Sequence, residues 1–224
     1  MPADHELTTL AHTRLRITFA TERTLAYISV LDLGRIWERS LRRAGVPLRY
    51  SQGFNPRPKL QFAAPLPTGC GGAAEWLDIW LEEAWEPERV VAALAGKTPA
   101  DLTVVDIVAV PEDEPALSEQ LATAEYRLWL REVEPERVAV AVESLLAADS
   151  LPRPKRGRRS GRTYDLRPLV ESLTVVAAPP PWTAALHIRL TARPGATGRP
   201  DEVLSALGLA DVPRRCTRVR LNKS

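Results

Sequence analysis

Leu15, Ile17 and Phe19 alternate with polar residues across Arg14–Phe19, the period of a half-buried strand. The period then lengthens. Leu33, Ile36, Trp37, Leu41 and Ala44 recur at helical spacing behind Ser29, an N-cap residue with Asp32 three positions on, and Gly45 with Pro47 closes the segment. Strands are predicted at Leu60–Ala64 and Glu75–Leu81, a helix at Pro87–Ala95 with proline at its start, and a closing strand at Leu102–Val110. This half therefore reads βαββαβ.

The order repeats. Tyr126–Val133 alternates as a strand, Pro135–Ala148 turns Val138, Val142, Leu145 and Leu146 to one side, and Val170–Ala177 and Ala185–Ala192 read as strands. A short helix at Asp201–Leu207 and a strand at Thr217–Leu221 complete it. The predicted fold class is α+β, with two tandem ferredoxin-like (βαββαβ) units, each with an antiparallel sheet. The expected units are 14–111 and 123–224, joined by an acidic, proline-containing linker at 112–122, with a basic loop at 152–163. Residues 1–13 are expected to be a flexible N-terminus. They carry Asp4 and Glu6 and have neither the basic start nor the apolar run of a signal peptide.

Charge changes this picture more than composition does. The net charge is +2, yet Ala11–Phe62 holds ten Lys/Arg against three Asp/Glu, Glu75–Asp149 five against eighteen, and Leu151–Ser224 fifteen against five. Such asymmetry points to one surface turned towards an anionic partner. No stretch approaches the roughly 20 apolar residues of a membrane helix. Cys70 and Cys216 are too few for a disulfide scaffold, so a cytoplasmic location is expected.

Three segments are candidates for nucleic-acid contact. Tyr50–Gly69 contains four prolines, which stiffen the chain and would hold Arg57 and Lys59 beside Tyr50, Ser51, Gln52, Phe54 and Asn55. Cations, flat rings and amides together suit phosphates and unstacked bases. Arg35, Arg39, Arg42 and Arg43 lie on the polar side of the first helix, and Arg153, Lys155, Arg156, Arg158, Arg159 and Arg162 form an acid-free run. Each segment also has a plainer reading, as a rigid connection, a solvated helix face or a loose hairpin.

Catalytic chemistries find little support. There is no glycine-rich phosphate loop, and His5, His12 and His187 lack metal-ligand spacing. Two cysteines cannot hold an iron–sulfur cluster. Asp32 and Glu38 are explained by capping and helix-surface pairing, and Trp76, Trp80, Trp129 and Trp182 by packing. No catalytic residue, metal site or cofactor is expected.

The blocks Arg14-Leu-Arg-Ile-Thr-Phe-Ala, Tyr27-Ile-Ser-Val-Leu-Asp-Leu, Glu38-Arg-Ser-Leu-Arg-Arg-Ala-Gly-Val-Pro-Leu and Tyr50-Ser-Gln-Gly-Phe-Asn-Pro-Arg-Pro-Lys-Leu resemble the opening of the radical-SAM-linked proteins. That bacterial family of unknown function is encoded beside a radical SAM enzyme or fused to its C-terminus. The resemblance implies a radical SAM enzyme as protein partner, which would own the iron–sulfur cluster and S-adenosylmethionine. It further suggests a non-catalytic accessory protein that binds RNA, with tRNA or rRNA as candidates, or a ribonucleoprotein substrate. Tandem ferredoxin-like halves also resemble the metal-independent endoribonucleases that process CRISPR repeat RNA, for which His12 would be the candidate base. A third reading is a protein–protein adaptor docking through the acidic Glu75–Asp149 half.

Overall fold

The computed structural model describes residues 13–155 and 162–224. Strand β1 (Arg14–Thr21) turns Leu15, Ile17 and Phe19 onto helix α1 (Val30–Arg43), where Leu33, Trp37 and Leu41 are buried against them. The Ser29 hydroxyl accepts a hydrogen bond from the Asp32 amide at 3.1 Å, and Gly45 ends the helix with φ +70°. Strands β2 (Leu60–Phe62) and β3 (Cys70–Trp80), helix α2 (Pro87–Leu94) and strand β4 (Leu102–Ala109) follow. The strands lie in the order β4-β1-β3-β2, and every neighbouring pair is antiparallel. Val90 and Leu94 of α2 join α1 in a core on one face.

The second half repeats this plan with β5 (Leu121–Leu130), α3 (Pro135–Ala147), β8 (Val170–Val176), β9 (Ala184–Arg193), α4 (Pro200–Ala206) and β11 (Arg214–Lys223). Its order is β11-β5-β9-β8, again antiparallel throughout. Ala124, Tyr126, Leu128 and Leu130 face a core shared with Val138, Val142 and Leu145 of α3 and Val203 and Leu204 of α4. Between α3 and β8 stands a two-stranded hairpin, β6 (Pro152–Pro154) with β7 (Thr163–Asp165); β10 (Ala196–Thr197) folds back on β9.

The expectation of two separate antiparallel sheets needs correction, because the halves share one nine-stranded sheet. The seam is parallel and short: Cys216, Thr217 and Arg218 of β11 lie beside Cys70, Gly71 and Gly72 of β3. Gly71 permits the approach of a third strand there; a Cβ on it would lie 2.9 Å from the Thr21 carbonyl oxygen. The two cysteines form a disulfide with Cα atoms 4.5 Å apart. They staple the halves together rather than remaining free thiols. Beside them Arg218, 2% exposed, pairs with Glu75, Nε to Oε1 at 2.9 Å and Nη2 to Oε2. The same guanidinium donates to the carbonyls of Ala64 (3.0 Å) and Pro65 (3.2 Å). Burial works against its charge, but the Glu75 carboxylate outweighs burial and holds the Arg218 pKa above the ordinary arginine value.

The segment after β4 returns to the first half. Arg14 and Arg16, on the β1 face away from α1, converge on Asp78 at 2.7 Å each, and Arg16 also meets Glu114 at 3.3 Å. Arg14 donates further to the carbonyls of Glu114 and Pro115. Among the described residues no helix is long and apolar enough to cross a membrane.

Candidate nucleic-acid interface

Residues 49–59 form a small hairpin standing off the end of β3. The Arg49 amide donates to the Trp80 carbonyl at 2.7 Å and the Lys59 amide to the Arg49 carbonyl at 2.8 Å. Tyr50 bridges Pro58, the Ser51 amide donates to the Arg57 carbonyl at 2.8 Å, and the Arg57 amide donates to Ser51 Oγ at 3.1 Å. Ser51 is thus a structural residue that clamps the hairpin. Gly53, at φ +147°, makes the turn. Phe54 at the tip is wholly exposed, and Gln52, Asn55 and Arg57 are exposed around it. Lys59 is held, its Nζ lying 4.2 Å from the centroid of Trp80. Trp80, read from the sequence as packing, is therefore a platform that aims a cation; Arg14 lies against the same ring at 4.9 Å.

The first-helix arginines do not join this hairpin. Arg35 pairs with Asp32 at 2.9 Å, Arg42 pairs with Glu38 at 2.6 Å, and Arg43 donates to the Lys97 carbonyl. Arg39, Arg42 and Arg43 line an open groove of about 380 Å³ with Ile36 and Pro99. Two of the four charges, those of Arg35 and Arg42, are thus paired along the helix. The sequence treats 11–62 as one basic surface, yet Arg14 and Arg16 lie inside the protein, at 2% and 6% exposure.

Arg153 sits in β6 opposite Tyr164, and the Lys155 amide donates to the Arg162 carbonyl at 2.7 Å. Arg156, Arg158 and Arg159, like His5 and His12, lie outside the described residues. Asp165 anchors the base of this hairpin by accepting from the amides of Leu151 (2.7 Å) and Arg167 (3.0 Å). Those amides hold its carboxyl below the usual aspartate range.

Topology brings the two hairpins into correspondence. Each occupies the connection from the first helix of its half to the strand at the edge of the four. Because β3 and β11 run parallel, β1 and β5 start at the same end of the sheet, and β2 and β8 run in their direction. Both hairpins therefore rise at that end. No sequence pattern signals the equivalence, since the hairpins differ in length and share no residues.

Among the described residues no group of three or more His, Cys, Asp or Glu could hold a metal ion. His187 Nε2 lies 3.4 Å from Glu125, within a row of cross-strand neighbours. Among the described residues, Glu75 pairs with Arg218, Asp78 with Arg14 and Arg16, Glu114 with Arg16 and Lys223, and Glu112 with Arg49 at 3.4 Å, so four of the eighteen acids of 75–149 are engaged by Lys or Arg from outside it.

The model of a family described as an uncharacterized protein conserved in bacteria (DUF2344) matches residues 14–200. The chain belongs to this family. No curated protein matches it. Among solved structures, a Cbf5–Nop10–Gar1 complex is similar in fold, with TM-score 0.50 and 11% identity over 94% of this chain and 49% of that one. An archaeal box H/ACA sRNP Nop10–Cbf5 complex gives 0.47 and 11%, over 95% and 49%, and an H/ACA RNP bound to a substrate RNA containing 2′-deoxyuridine gives 0.46 and 10%, over 94% and 48%. The chain spans about half the length of these solved chains.

Proposed function

We propose that this protein is a non-catalytic accessory protein of a radical SAM enzyme, binding RNA or a ribonucleoprotein substrate for it. The observation that carries the RNA half of the reading is the pair of basic hairpins raised at one end of the sheet, from equivalent connections; the radical SAM half rests on the sequence resemblance alone. The first combines an exposed aromatic tip, Phe54, with an Arg57 that has no ion-pair partner among the described residues and a Lys59 aimed by Trp80. Phosphates meet the cations, and an unstacked base meets the ring. The matching strand order of the two halves supports the finer fold reading, two tandem ferredoxin-like units joined where β11 lies beside β3. The fold likeness to a chain of the Cbf5–Nop10–Gar1 complex is compatible with it.

The test is RNA binding at moderate salt, by filter retention, with bulk tRNA and rRNA fragments. Arg57→Ala with Lys59→Ala should weaken binding about tenfold and lower the salt slope by about 1.4, at roughly 0.7 per lost single-strand phosphate contact. Phe54→Ala should weaken binding without altering stability. Absence of RNA binding refutes the RNA half of the reading, and binding indifferent to these changes removes the first hairpin as its site. Co-purification with a radical SAM protein tests the other half independently.

A further inference from the structure

The sheet face opposite α3 and α4 is built from every second residue of β5, β9 and β11. In β5 these are Glu125, Arg127 and Trp129, with Arg131 just beyond the strand; in β9, Ala185, His187 and Arg189. In β11 the pairings are Arg215 with Trp129, Thr217 with Arg127 and Arg220 with Glu125. A bulge between Arg218 and Arg220 reverses the phase of the strand. Arg218 consequently turns inward and is buried, while Arg220, two residues later, is exposed on this face.

We infer that this face is a binding platform for an unpaired nucleic-acid strand, centred on Arg127, Trp129, Arg131, Trp182, Arg215 and Arg220. Three observations carry the inference. Among the described residues no carboxylate lies within ion-pair distance of Arg127, Arg215 or Arg220. Two arginines are laid on indole rings, Arg215 at 5.5 Å from the centroid of Trp129 and Arg131 at 4.5 Å from that of Trp182. A guanidinium so placed is partly relieved of water and presents its N–H groups outward, next to a ring on which a base can stack. The corresponding face of the first half is closed: its Arg14 and Arg16 are neutralised by Asp78 and Glu114 and covered by the segment after β4. The charge left on the second face is positive, which suits phosphates and disfavours a basic or neutral protein partner. Three strands span roughly 10 Å, so the platform takes a few nucleotides of a single strand and cannot engage the bases of a duplex. The inference rests on the RNA reading above but uses different residues.

Fluorescence anisotropy with labelled oligo(U), oligo(dT) and a short RNA duplex, each about eight nucleotides per strand, tests it. Arg127→Ala with Arg220→Ala should weaken oligo(U) at least fivefold and reduce its salt slope by about 1.4, with duplex affinity little changed. Oligo(U) should quench tryptophan emission, and Trp129→Phe should lose that part of the quench while keeping its melting temperature within a few degrees. Weaker oligo(dT) binding marks RNA as the ligand; equal binding leaves the platform in place for either strand. If the face variant binds oligo(U) like the unmodified protein while the Arg57/Lys59 variant loses it, the platform is overturned and the RNA reading stands. If the unmodified protein binds no oligonucleotide, both fall. Loss of a co-purifying acidic protein, with oligo(U) binding intact, overturns the platform in favour of a protein surface.

Discussion

Arg218→Met tests the account of the seam between the two halves. The guanidinium satisfies both oxygens of Glu75 and two carbonyls, of Ala64 and Pro65, at a site excluded from water. Removing one partner of such a pair leaves a buried, uncompensated carboxylate and costs about 3–5 kcal/mol. For a chain of this size each kcal/mol lowers the melting temperature by roughly 2–4 °C, so the variant should melt about 6–20 °C lower. Pairing Arg218→Met with Glu75→Leu removes the stranded charge and should recover most of the loss. It should not recover all of it, since the carbonyls of Ala64 and Pro65 lose their donors, a residual of about 1–3 kcal/mol. Urea unfolding of the two single variants and the double variant gives the coupling energy directly. A loss under about 1 kcal/mol for Arg218→Met, or a double variant as unstable as the two singles added together, would refute the reasoning.

Three further outcomes follow from the geometry. Thiol titration of the native, unreduced protein should find neither Cys70 nor Cys216 free; breaking a link between residues 146 apart should cost between about 2 and 5 kcal/mol, and two reactive thiols would overturn the disulfide. Glu114 and Asp165 both titrate below the ordinary carboxylate range, Glu114 because Lys223 and Arg16 outweigh its partial burial, and Asp165 because it accepts two amides. Their stabilisation is present above the unfolded carboxylate range, near about pH 4, and is lost as pH falls through the depressed folded values; urea midpoints across acid pH should fall less steeply for Glu114→Gln and Asp165→Asn, and an unchanged slope would count against both contacts. His187→Asp places a carboxylate opposite Arg127 and should weaken oligo(U) binding without loss of stability; unchanged binding would remove Arg127 from the platform.

Much of the fold was legible because its elements carry strong local signals: the alternation of Leu15, Ile17 and Phe19, and the Ser29 cap ahead of Leu33 and Trp37. The seam was not legible. Cys70-Gly-Gly-Ala-Ala has no alternation to mark it as strand, and nothing local says that β11 will lie beside it. The same blindness misdirected the reading of charge. Period-two alternation puts Arg14 and Arg16 on the polar side of β1 but cannot show that Asp78 and Glu114 close over them. Arg218 and Arg220 look equivalent in sequence, and only the bulge between them makes one a buried strut and the other a surface cation. Of the candidate contact residues, the Tyr50–Lys59 group stood out because proline and glycine spacing announces a rigid turn. The open face was invisible, its members being scattered from Arg127 to Arg220.

What distinguishes the two halves is cross-strand chemistry on equivalent positions. In β1, Arg16 stands opposite Asp78 of β3; in β5, Arg127 stands opposite His187 of β9. Directly opposed side chains on one sheet face either attract or repel. The first pair draws two arginines onto one carboxylate, and with the charge satisfied the face can be covered by the segment bearing Glu114. The second pair offers Arg127 no such partner, and covering it would bury an unpaired cation at a cost of several kcal/mol. The face therefore stays in contact with solvent until an anion arrives. One half is thereby a closed foundation and the other an open surface, from the same strand order, and the parallel seam at Cys70 and Cys216 fixes the one to the other.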